Sequence, residues 1–160
     1  INSATLVDSS AVGKSSVFIQ IFTNNMKVTF FSIFFAFFYG AGAIFILTWN
    51  ASVIATAIGT FVRENISSLA LNSGLLKIAS YFGIFSLGIL RYAIHGIPEI
   101  LAYFVAGLAG GIISVAVIKH DFGSESFKKI LADSVDLIII AIALVFFAAI
   151  IEVYVTPLFF

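Results

Sequence analysis

Cysteine is absent from the 160 residues, proline occurs only twice, and 10% of the side chains are charged. The missing cysteine excludes disulfides, thiolate catalysis and cysteine-ligated metals. The missing charge says more, because a soluble domain carries about 25% charged residues. This surface is not made mainly for water. Eight acidic residues balance eight basic ones, and no basic stripe runs along the chain. Nucleic acid is therefore excluded as a partner, and no long-range field steers an acidic substrate. The opening residues Asn2, Ser3, Thr5, Asp8 and Ser9 are not a basic region followed by an apolar one, so no signal peptide is visible. The chain starts at Ile1 rather than Met, which reads as a missing beginning and leaves a further span upstream open.

What is present is apolar. Hydrophobic side chains make up 61% of the sequence, with 19 Phe and a mean hydropathy of +1.17. These values predict an all-α, polytopic transmembrane helical bundle. Residues 1–25 read as an exposed N-terminal segment with one amphipathic turn near 17–22, and residues 26–160 as a single transmembrane domain.

Between Val28 and Val62 no residue is charged. A span needs roughly 20 residues, so this stretch holds one span and a remainder. The full span is placed at 26–49, ending on the interfacial ring of Trp49. Asn50 then interrupts, and 51–62 forms a short helix of roughly 18 Å, half-depth or re-entrant in a core of about 30 Å. Further full spans are expected at 75–94, at 98–118 after a break at Gly96–Pro98, and at 134–155. Asp133 with Asp136 reads as a box-like start for the last one. Two spans then separate Arg63 and Lys77 from Lys119, Lys128 and Lys129. Both connectors would face one side, the cytoplasmic one by the positive-inside rule.

Small residues recur at helical spacing. Ala51, Ala55 and Gly59 form one row, while Ala106–Gly110–Ser114 and Gly107–Gly111 form two more. Helices in lipid associate by close backbone approach over such rows. They serve either packing inside the bundle or an interface between subunits.

Four polar residues lie at or inside the expected spans: Arg91, His95, Glu99 and Glu152. Ionisable groups there are costly and commonly mark a site. Each also has a plainer reading. Glu99 fits the first turn of a helix begun by Pro98, His95 caps the preceding helix, and Arg91 snorkels. Glu152 is harder to explain away, since it follows a long apolar run from Leu137 to Ile151. Either the four converge on one polar cluster or they sit independently at helix ends.

Other chemistry fails on spacing. Gly13-Lys14-Ser15 resembles the end of a phosphate-binding loop, but Asp8 stands where the earlier glycine is required. His95 and Glu99 lack a second histidine at metal spacing, and His120 falls in a connector. No nucleophile has a nearby base that spacing justifies, so no enzyme activity, metal or other cofactor is expected.

The order of features resembles the stage II sporulation protein M family of integral membrane proteins. The pieces are Phe22-Thr23-Asn24-Asn25 before a span bearing Gly40 and Gly42, then Trp49-Asn50 and a short helix with Gly59. His95-Gly96-Ile97-Pro98-Glu99 with Ala106-Gly107-Leu108-Ala109-Gly110 is the most specific, and Ala148–Glu152 before Thr156-Pro157 is the last. The resemblance implies five-span proteins with an additional N-terminal helix and a non-enzymatic role, anchoring and organising cell-wall-degrading partners in the sporulation member. Two functions are expected to compete. One is a membrane scaffold or accessory subunit in the cell membrane, contacting lipid and other membrane proteins or a second copy. The other is a transporter or channel component using the polar cluster.

Overall fold

The computed structural model describes residues 3–40, 42–66, 75–119 and 122–159, and among these no strand occurs. Helix α1 covers Ser3–Tyr39, α2 Gly42–Ile66, α3 Leu75–Ile118 and α4 Glu125–Ile150. A π-helical turn, Ile151–Val155, and a 3-10 turn, Thr156–Leu158, finish the chain. All four α-helices are long and apolar enough to cross a membrane. The protein is an all-helical membrane bundle.

Helix α1 ends where the backbone changes hand, not where polarity interrupts. Gly40 takes φ +59°, a left-handed conformation that glycine adopts without penalty, and its N–H still bonds the Ala36 carbonyl at 3.1 Å. This C-terminal cap lets the chain reverse between α1 and α2. Asn50, expected as the break, lies inside α2. The expected short helix at 51–62 is thus the second half of a 25-residue helix, because a single polar side chain that can turn inward need not end a helix. Residues 3–25, expected as an exposed segment, continue into the span as the start of α1, with 13–17 exposed.

The break expected at Gly96–Pro98 is also absent. Pro98 sits inside α3, where it removes one backbone donor, a loss that neighbouring helices make tolerable in a membrane helix. At 44 residues α3 extends roughly 66 Å, about twice the hydrocarbon thickness. One helix, not two, therefore separates Arg63 from Lys119. Two spans would return both basic connectors to one side and one does not; residues 67–74 and 120–121 themselves lie outside the described residues.

Helix α4 begins earlier than expected. Ser124 is the N-cap, its hydroxyl accepting the Phe127 N–H at 3.0 Å, just after Gly123 at φ +87°. Asp133 and Asp136, expected to start this helix, are exposed residues within it.

Side-chain contacts give the topology. Asn25 meets Glu99 and Ile33 approaches Gly110, so α1 and α3 run parallel. Ala43 approaches Gly107, Ile54 approaches Gly96, and Phe61 approaches Gly88, so α2 is antiparallel to α3. Phe22 meets Phe146 and Lys14 meets Tyr154 just beyond α4, so α4 is antiparallel to α1.

The interior is made of small side chains. Ala36, Ala102, Ala106, Ala109, Ala141, Ala148 and Ala149 are at most 1% exposed, while Phe30, Phe34, Phe38, Phe45 and Phe147 point outward. Large rings outside and alanines inside is the pattern of helices held by close backbone approach rather than by an oily core.

Candidate functional site

One face of α1 carries Asn25, Thr29, Ser32 and Ala36, all buried, at steps of four, three and four residues. That stripe lies between the outward phenylalanines and faces α3. The Thr29 hydroxyl donates to the Asn25 carbonyl at 2.9 Å. The Asn25 side-chain amide donates to a carboxylate oxygen of Glu99. Both partners are more than nine-tenths enclosed, at 7% and 8% exposure, so neither relies on bulk water.

On α3, Arg91, His95 and Glu99 recur every fourth residue and form one row. Glu152 enters from the π-helical turn at the end of α4. Such turns widen the helix by one residue and are frequent at functional sites. Here the Thr156 hydroxyl bonds back to the Ile151 carbonyl at 3.2 Å.

The row and the turn line two adjoining clefts. One, of about 700 Å³, is bounded by Gly13, Lys14, Val17 and Ile21 of α1, Arg91, Tyr92 and His95 of α3, and Glu152, Val153, Thr156 and Pro157. The other, of about 450 Å³, includes Gln20, Asn24 and Asn25 of α1, Asn50 of α2, Tyr92, His95 and Glu99 of α3, and Glu152. Ile21, Tyr92, His95 and Glu152 belong to both walls. All four residues singled out from the sequence thus gather along this pair of clefts, though they come from two helices, not three.

The two walls differ in charge. Lys14 and Arg91 line only the first, and Glu99 with the asparagines only the second. The Lys14 ammonium stands 6.0 Å from the Tyr154 ring centre, and the Arg91 guanidinium 5.5 Å from that of Phe61, both within cation–π range. Asn50 Nδ2 and His95 Nδ1 are buried atoms without a hydrogen-bond partner among the described residues. Buried polar groups are normally paired, so the wall keeps hydrogen-bonding capacity that the fold does not use. Tyr103, wholly buried, carries another such group in its hydroxyl.

Among the described residues no group of three or more His, Asp or Glu stands close enough to hold a metal ion.

The small-residue rows divide between inside and outside. Ala106, Gly107 and Gly110 are buried. A Cβ on Gly107 would lie 2.9 Å from that of Ala43, and one on Gly110 would strike the Ile33 carbonyl. Gly111 faces open space. Ala51, Ala55 and Gly59 are exposed on α2, with Ala55 and Gly59 along a groove shared with Tyr81, Phe85 and Ile89 of α3. Sequence reasoning missed Lys14, Asn25, Asn50 and Tyr92; for Asn25 the signal was available in the polar stripe it shares with Thr29 and Ser32.

A family description for stage II sporulation protein M matches residues 2–157. No curated protein matches the chain, and no solved structure does.

Proposed function

The chain belongs to the stage II sporulation protein M family, and from that premise we propose that it is a non-enzymatic accessory subunit of the cell membrane that docks a partner membrane protein. The observation that carries this reading is the state of α2. None of its most apolar stretch is buried within the bundle, whereas each of the other three spans is partly buried. It leaves Ala51, Ala55 and Gly59 exposed, the residue type that lets a second helix approach. The buried rows on α3 are already occupied by α1 and α2, which supports α2 as the free face.

The test uses the absence of native cysteine. Ala55→Cys and Gly59→Cys are introduced separately, and oxidative or short-linker cross-linking is run in native membranes. The proposal expects a discrete adduct, either with another protein or with a second copy. Monomer alone at both positions, with a lipid-facing Phe147→Cys control behaving identically, contradicts it.

The adjoining polar clefts support a second reading, a transport component, because ionisable groups inside spans commonly line ion or substrate paths. Flux through liposomes carrying the purified chain tests it. Loss of flux in His95→Ala and Glu99→Gln supports the reading, and flux unchanged in both removes it.

A further inference from the structure

We infer that the paired clefts bind a zwitterionic group, an anion and an ammonium held within one ligand, with a phosphoethanolamine headgroup as the form that fits best. A purely anionic ligand would meet Glu152 in the first cleft and Glu99 beyond it. A purely cationic one would meet Lys14 and Arg91. A ligand carrying both signs places its phosphate against Lys14 and Arg91 and its ammonium against Glu152. Asn50 Nδ2 and His95 Nδ1, unpartnered among the described residues, stand on the wall of the second cleft.

Depth favours a lipid as the source. The cleft is bounded by Gly13, Lys14, Thr156 and Pro157, where the polar residues Lys14, Ser15 and Ser16 precede the apolar run of α1 and the helical chain of α4 gives way to a 3-10 turn. Its mouth thus lies at headgroup level, where acyl chains can remain alongside the outward phenylalanines. This inference goes beyond partner docking and does not depend on it. A chain that binds the lipid but cross-links to nothing loses the docking proposal and keeps this one.

The experiment titrates the purified full chain in detergent with short-chain phosphatidylethanolamine, short-chain phosphatidylglycerol and free O-phosphoethanolamine. Binding is read by native mass spectrometry and thermal shift. Phosphatidylethanolamine is expected to saturate at one copy and to bind about tenfold tighter than phosphatidylglycerol, a difference of about 1.4 kcal/mol. Lys14→Gln weakens it, Lys14→Arg restores it, and Glu152→Gln reverses the preference toward phosphatidylglycerol. That reversal is a signature a merely destabilised fold does not produce. If O-phosphoethanolamine competes at equal concentration, the site is still zwitterionic but its natural source is a soluble molecule. Equal or tighter binding of phosphatidylglycerol to the unaltered chain overturns the inference. So does a preference untouched by both Lys14→Gln and Glu152→Gln, or no saturable binding of any probe.

Discussion

Asn25 and Glu99, separated by 74 positions in the chain, are joined by a buried side-chain hydrogen bond between the parallel helices α1 and α3. This bond ties the polar stripe of α1 to the polar row of α3 and sets their relative height. Above it lie the small-residue contacts of Ile33 and Ala36 with Gly110; below it open the clefts.

The pair is expected to couple energetically. A double-mutant cycle with Asn25→Ala and Glu99→Ala, read by unfolding in mixed micelles, should return about 0.6 kcal/mol and at most about 1.7 kcal/mol, as for other interhelical bonds in membranes. Additive single effects would show that the contact does not hold the two helices.

Close packing makes a sharper prediction. Gly110→Ala places a methyl against the Ile33 carbonyl and 3.1 Å from the Ala36 Cβ, and should cost about 1–3 kcal/mol as an overpacked site. Gly111→Ala, one residue on and facing open space, should stay within about 0.5 kcal/mol. Equal melting temperatures for the two variants would refute the role assigned to the Gly110 face.

Much of this arrangement was legible in the sequence, and the errors share one cause. Hydropathy locates apolar stretches well, so the membrane class, the four-span capacity and the candidates Arg91, His95, Glu99 and Glu152 could be read directly. It treats every polar interruption as an end. Asn50 and Pro98 looked like breaks, yet Asn50 can turn toward the second cleft and Pro98 can be carried within a supported helix. The turn after α1 and the one before α4 depend on backbone conformation at Gly40 and Gly123, and nothing in composition distinguishes these glycines from Gly83 or Gly96. Asn25 was obscured for a related reason. Its neighbours looked solvent-facing until the spacing to Thr29, Ser32 and Ala36 revealed a single face.

The start of α4 offers an independent check. Ser124→Ala removes the hydroxyl that accepts the Phe127 N–H and should destabilise the helix start by about 0.5–2 kcal/mol. Faster amide hydrogen exchange over 125–128 would register the loss. Asp133→Ala, at the start expected from sequence, should leave exchange there unchanged.

The account rests on a water-accessible polar cleft inside an otherwise lipid-facing bundle, and thiol accessibility measures that most directly. The chain has no native cysteine, so single replacements report without background. Glu152→Cys, on the cleft wall, should react rapidly with a charged, water-soluble maleimide in membranes made permeable to it. Phe147→Cys, 56% exposed on the outside of the same helix, should resist the reagent because lipid covers it. Rapid labelling of Phe147→Cys with Glu152→Cys protected would contradict the account.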